Sequence, residues 1–327
     1  MNKIFKLFPI WFFSFLQISL FIECFSLLPL ISRAQSMSNV RKTGASLFQS
    51  EFIFPLQGMH VHSSSVVELP NGDLLCCWFE GSGERTANDV QIKGARLQKG
   101  QSRWSEPFVM ADTPRNPDCN PVLFLDSKNR LHLTWVVVVA NRWQTSLLKT
   151  RISSDYLNDG PPKWDWQDVI LLKPGNEFVE TLEKGFKELD PACSIWSEYA
   201  VQYERMIVEA AKDPEKREVG WMGRIQPLIL EKGRILLPLY SDGYNVSLVA
   251  ISNDNGDTWT PSLPIVGRGN IQPALLQKQD GTIVAYMRNN GDKPERIIFS
   301  SSDDNGYTWS ISKKTNIPNP GSSVEVI

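Results

Sequence analysis

The chain has 327 residues, 34 of them basic and 36 acidic, a length that suits one large β domain. A balance this close to neutral argues against a nucleic-acid binder held by phosphate contacts, because such affinity rests on an excess of Lys and Arg. The 11 Trp are many for this length; most suit core and turn positions, and the remainder suit stacking on sugar rings.

The first predicted element is a leader. Lys3 and Lys6 precede a long apolar run, and Ser32-Arg33-Ala34 supplies the small residues of a cleavage site. Residues 1–34 therefore read as a secretory signal peptide. Gln17, Glu23 and Pro29 interrupt the run, which favours cleavage over an uncleaved anchor. The expectation is a secreted or periplasmic protein with no stable membrane association after signal cleavage. Residues 35–49 read as a linker and 50–327 as the folded domain. At its start, EFIFPL (51–56) reads as a strand able to partner a sheet.

One phrase then recurs: SVVELPNGDLLCCW (65–78), PVLFLDSKNRLHLTW (121–135), PLILEKGRILLPLY (227–240) and PALLQKQDGTIVAYM (273–287). Each is an apolar strand, a polar turn and a second apolar strand, which predicts four β-hairpins. Cys76 and Cys77 are adjacent on one predicted strand and so face opposite sides. Cys119 and Cys193 complete the cysteines after the leader, without C-x-x-C spacing or a His cluster, so a zinc site is not expected. Ile-Gln-Pro occurs at 225–227 and again at 271–273 and sets the register of the last two hairpins. Between Trp166 and Ile225 the pattern breaks. Two charged, periodic stretches predict a helical insertion over about 176–218, with Tyr199, Tyr203, Ile207 and Ala210 on one face.

The last two hairpins are each followed by a near-identical octet, SNDNGDTW (252–259) and SDDNGYTW (302–309). A calcium loop of the EF-hand kind fails at both ends: Ile251 and Ser301 stand where its first ligand belongs, Ser262 and Ser312 where its Glu belongs. A tight turn fits. Asn-Gly tolerates positive φ at both positions, Ser and Asp bond the turn backbone, and the Trp folds back as a plug. Repeats at this spacing point to a propeller or solenoid.

S-x-D-x-G-x-x-W, written twice, resembles the Asp-box of the sialidase-like β-propellers, and the chain is similar to their "predicted sialidase" branch with BNR repeats. The resemblance implies an all-β, six-bladed sialidase-like β-propeller. Four blades can be counted here, with the helical insertion between blades two and three, so the expectation is a C-terminally truncated ring. It also implies an exo-α-sialidase-like glycoside hydrolase acting on glycan non-reducing ends. In that family three arginines hold the substrate carboxylate, an Asp is acid/base, and a Tyr assisted by Glu is the nucleophile. Arg288, in GTIVAYMR, falls where the second arginine follows its strand. His62 stands where the first would lie, and Gln272 where the assisting Glu would lie. Asp89 occupies the loop expected to carry the acid/base Asp, with Glu84 as the alternative acid on that loop. The expected catalytic set is thus Asp89, Glu84 and His62. The expected substrate-binding set is Arg288, Gln272, Gln226 and Asn120, the three amides serving either as hydroxyl ligands or as structural bonds to the inner strands. The expected partner is a glycan or oligosaccharide substrate, with no nucleic acid; nothing calls for a metal or other cofactor. Two further readings stay open: a non-catalytic carbohydrate-binding propeller, and a rhamnosidase or polysaccharide lyase using His62.

Overall fold

Each predicted hairpin seeds a sheet in the computed structural model, which describes residues 50–192, 200–291 and 293–327. The expected signal peptide and linker, with Cys193 and Tyr199, lie outside the described residues. Sheet I contains β1 (His60–Glu68), β2 (Leu74–Gly81), β3 (Gln91–Leu97) and β4 (Phe108–Ala111). Sheet II contains β5 (Asp118–Leu125), β6 (Leu131–Val138), β7 (Ser146–Ser153) and β8 (Trp166–Val169). Sheet III contains β9 (Leu228–Ile229), β10 (Ile235–Ser241), β11 (Val246–Ser252) and β12 (Thr260–Pro261). Sheet IV contains β13 (Asn270–Gln277), β14 (Ile283–Asn289), β15 (Arg296–Ser302) and β16 (Lys313–Pro318). All four are four-stranded antiparallel meanders, each strand bonded to the next in sequence.

The sheets stack face to face, and that explains their strand composition. Strands β6, β10 and β11 are buried at every position, because both faces are covered, and they read as continuous apolar runs rather than as alternation. In β2 the two faces separate: Leu75, Cys77 and Phe79 enter the large core shared with sheet II, whereas Cys76 and Trp78 face the other way. The expected strand at 51–56 does not form. Ile53 and Phe54 instead cover that other face, Phe54 lying 5.0 Å from the Trp78 ring. A side chain with only one sheet face to cover needs no backbone ladder. Cross-sheet bonds fix the stacking: Leu123 N–H donates to Ser65 Oγ (3.0 Å), and Ser247 Oγ donates to the Asn270 carbonyl (2.7 Å).

The two octets are clasps between sheets. In the first, Gly256 N–H donates to Ser252 Oγ (2.7 Å), Asp254 accepts from Thr258 N–H (2.9 Å) and Oγ1 (2.6 Å), and Trp259 Nε1 donates to the Gly256 carbonyl (3.1 Å). The second repeats this around Ser302, Asp304, Gly306 and Trp309. Asn255 and Gly256 have φ of 64° and 90°, as the turn reading requires. A Cβ on Gly256 would stand 2.8 Å from His132 Cε1 in sheet II, whereas one on Gly306 would stand 3.0 Å from a Leu236 methyl carbon. Gly256→Ala is therefore expected to cost about 1–3 kcal/mol, from left-handed strain and collision together. Gly306→Ala, which meets a softer neighbour, should cost less; urea unfolding of the two variants side by side checks the order.

The insertion forms α1 (Asn176–Glu188), α2 (Ala200–Ala211) and α3 (Pro214–Glu218). Helix α1 buries Phe178, Val179, Leu182 and Phe186. The Phe178 ring lies 5.9 Å from Trp221 and 5.7 Å from Tyr244, which anchors the insertion on sheet III. In α2 the buried stripe is Ala200, Glu204, Ile207 and Ala211, turned from the expected Tyr203–Ile207–Ala210 face. A charge causes the turn: Glu204 Oε1 accepts from Arg268 Nε (2.8 Å) and goes inward with its partner.

Candidate active site

Three first strands carry the same irregularity. Pairing skips one residue between His62 and Ser65 in β1, between Cys119 and Val122 in β5, and between Ile271 and Ala274 in β13. Each skip holds a residue at positive φ: Ser63 (60°), Asn120 (51°) and Gln272 (55°). Such a bulge re-aims side chains at the end of a sheet. Here the bulges deliver His62, Asn120 and Gln272 to one cleft of about 670 Å³. The loops that follow the second strands add Glu84, Trp143, Asp242 and Asn290, and the end of β14 adds Arg288.

Five of the seven expected residues therefore line one cleft: His62, Glu84, Asn120, Gln272 and Arg288. Asp89 does not. Its exposed carboxylate accepts from Ser82 N–H (3.2 Å) and Ser82 Oγ (2.8 Å) and ties the loop together. Those bonds, the hydroxyl first, hold it below the ordinary aspartate range, the wrong direction for a proton donor. Gln226 is also elsewhere. The Ile-Gln-Pro repeat is one of sequence and not of conformation, since the first strand of sheet III is only two residues long and carries no bulge. The Gln226 amide instead donates to the Val66 carbonyl of sheet I, and Arg224, two residues earlier, lines the cleft in its place.

Arg224 and Arg288 are the cleft's main cationic feature. Among the described residues neither forms an ion pair. Arg288 Nη2 reaches Asn290 Oδ1 at 3.5 Å, and its Nε is buried without a partner. Burial lowers the Arg224 pKa, and the charge of Arg288 acts in the same direction. Two guanidiniums that disfavour each other form a site for an anion, and a carboxylate matches their fork.

Tyr240 sits at the base, 5% exposed. Its hydroxyl accepts from Asn120 Nδ2 (3.2 Å). Burial, then the charge of Asp242, push the phenol up to about 12 against the opposing hydrogen bonds of Gln272 and Asn120. It therefore stays protonated, and its bonded partners are amides rather than a carboxylate able to take its proton. Asp242 opens into the cleft water, yet protein surrounds it on most sides. Its carboxyl is raised by that desolvation, opposed by Arg288 and Arg85 and reinforced by Glu84. Burial lowers the His62 pKa, and Arg224 adds to the effect, so the imidazole is neutral at pH 7.

Arg224, Tyr240 and Asp242 escaped sequence reasoning. Asp242 and Tyr240 had a usable signal: in YSDGYN Tyr240 stands at the end of the second strand of the third hairpin and Asp242 just past it, as Arg288 stands at the end of that strand in the fourth. Arg224 had none, because the missing bulge cannot be read from a preserved Ile-Gln-Pro.

A family profile described as BNR repeat-like domain (BNR_2) matches residues 72–185 and 209–327. The chain belongs to this BNR repeat-like family. No curated protein matches it. Among solved structures the BNR repeat-like chain is similar to a protein of unknown function from Dyadobacter fermentans, with a TM-score of 0.54 at 14% identity over 80% of this chain and 70% of that one. The Hadza microbial sialidase Hz136 gives 0.54 at 14% identity, over 79% of this chain and 47% of that one. The leech intramolecular trans-sialidase, solved with 2,7-anhydro-Neu5Ac, gives 0.54 at 15% identity over 84% and 54%. The chain thus spans about half the length of these two sialidases. At such identities the likeness is one of fold.

Proposed function

We propose that this BNR repeat-like chain is a glycoside hydrolase of the exo-α-sialidase-like type, exported behind the leader at 1–34 and acting at the acidic non-reducing ends of glycans. Its sheets are the blades of a sialidase-like propeller, six in the complete ring. The observation that carries the reading is the pair Arg224 and Arg288, without ion-pair partners among the described residues, in one cleft with the carboxylates of Glu84 and Asp242. The guanidiniums would take the sugar carboxylate. Asn120, Gln272 and neutral His62 would bond its hydroxyls. Glu84 and Asp242 replace Asp89 as acid/base candidates.

One observation favours a second reading, a binding propeller without turnover: burial and the charge of Asp242 hold Tyr240 as a phenol and its bonded partners are amides that cannot take its proton, so no activated nucleophile stands at the base. Incubation with oligosaccharides ending in sialic acid, hexuronic acid or neutral hexose separates the cases. Release of the acidic sugar supports the hydrolase. Retention without release supports the binding module. An ultraviolet-absorbing unsaturated uronate would mean a lyase, and neither binding nor release would sink the sugar site altogether.

Arg288→Leu is expected to weaken kcat/KM or affinity for acid-terminated glycans about 10- to 100-fold, the worth of one or two charged hydrogen bonds. Arg288→Lys should recover only part of this, since it restores the charge but not the fork. Full recovery by Lys would show that a point charge suffices.

A further inference from the structure

The two stretches matched by the family profile leave out residues 186–208. Most of helix α2 falls in that gap, so this wall of the cleft lies outside the stretches the family profile matches. The helix is not loosely attached. Its buried stripe is fixed by the Glu204–Arg268 pair, and Arg268 also donates to the Asp190 carbonyl (2.7 Å). The neighbouring face of the helix carries Tyr203 and Met206, and both line the cleft. Met206 is 60% exposed, so it contributes little to the core beneath it. Tyr203 is half-buried, with its hydroxyl bonded to Asn245. From sheet II the turn at 143–145 adds Trp143, which carries the Arg85 guanidinium 5.6 Å from its ring centroid.

The cleft is thus divided by chemistry. The bulges and the strand-end loops bring the ionic and amide groups, which suit the hydroxyls and carboxylate of one terminal sugar. Apart from buried Tyr240 and Ile271 beneath the bulges, the large apolar side chains of the cleft, Tyr203, Met206 and Trp143, come from the insertion and the 143–145 turn. A pyranose ring has polar edges and a face of C–H groups, and such a face packs on aromatic and thioether surface. We propose that Tyr203, Met206 and Trp143 form a second subsite, which binds the sugar residue next to the terminal one and so sets a preference for extended glycans. This deepens the acidic-glycan reading above and rests on it.

The test compares two ligands by calorimetry: the methyl α-thioglycoside of N-acetylneuraminic acid, which fills only the first subsite, and thio-linked 3′-sialyllactose, which has the same α-configuration and whose sulfur bridge resists hydrolysis. The wild-type protein is expected to bind the trisaccharide about tenfold more tightly, the scale of a modest apolar contact. Tyr203→Ala/Met206→Ala should bring the ratio of the two affinities close to one. Met206→Glu alone serves if the double variant loses its fold, because that side chain is already in water. Equal affinities in the wild type overturn the subsite and leave the acidic-sugar reading standing. An unchanged ratio in the variants does the same and reduces α2 to packing. Binding of neither ligand overturns both together.

Discussion

Asp242→Asn is expected to lower kcat by about 10²- to 10⁴-fold on any glycoside the chain hydrolyses, the range that a positioned general acid supplies. The argument is environmental. A proton donor must hold its proton near the working pH, so its carboxyl must lie above the ordinary range. Asp242 does: it opens into the cleft, but the protein packed around it raises the carboxyl and Glu84 adds like charge, against the opposing pull of Arg288 and Arg85. A substrate carboxylate seated on Arg288 would neutralise that pull and raise the Asp242 carboxyl further at the moment it is needed. The wild-type rate should therefore fall as pH rises through the elevated Asp242 pKa, and that basic limb should be absent from the Asn variant. Glu84→Gln removes a charge that holds the Asp242 proton, so it should move the limb to lower pH. A limb that survives in Asp242→Asn and disappears in Glu84→Gln would return the acid role to Glu84.

Much of the architecture was open to reading because it rests on local chemistry. The four hairpins needed only apolar runs and polar turns. The octets needed only Asn-Gly at positive φ and a Ser and an Asp bonding the turn. The faces of Cys76 and Cys77 followed from strand alternation. What was hidden depended on partners distant in sequence. Asp89 and Glu84 share one loop, and only the Ser82 bonds decide that Asp89 turns to the loop and not to the cleft. Gln226 and Gln272 share one tripeptide, and only the presence of a bulge separates their directions. The stripe of α2 was displaced by Arg268, which lies 64 positions from Glu204. The 51–56 segment has strand composition, but the face it meets offers rings and not a free edge.

A single aspartate in sheet II should matter to stability as much as any core residue. Asp126 has a fully buried side chain that accepts from Lys128 N–H (2.9 Å), Arg130 N–H (2.8 Å) and Arg130 Nε (2.7 Å), with His132 Nε2 at 3.1 Å. Arg130 then reaches out of the sheet to Asp257 (3.1 Å) and to the Asn255 carbonyl (2.8 Å), in the first octet. The carboxylate therefore organises the cation that clasps sheet III to sheet II. Asp126→Ala leaves Arg130 half-paired and the His132 imidazole, stacked 4.7 Å from Phe124, without either ring bond, since Nδ1 already lacks a partner. The expected loss is about 3–5 kcal/mol, the cost of breaking a buried pair from one side. Asp126→Asn should lose nearly as much, because an amide presents a donor to Arg130. Burial alone would raise the Asp126 pKa, but the bonds from His132 and Arg130 outweigh it and bring it down to about 2 from 3.8. A depressed carboxyl stabilises the fold above its unfolded value and loses that contribution as pH falls toward the folded one. The wild type should therefore shed about 2 kcal/mol between pH 4 and pH 2, and Asp126→Asn should lack this component. Urea midpoints at pH 4 and pH 2 for both proteins measure the difference, and parallel losses in the two would place the acid sensitivity on other carboxylates.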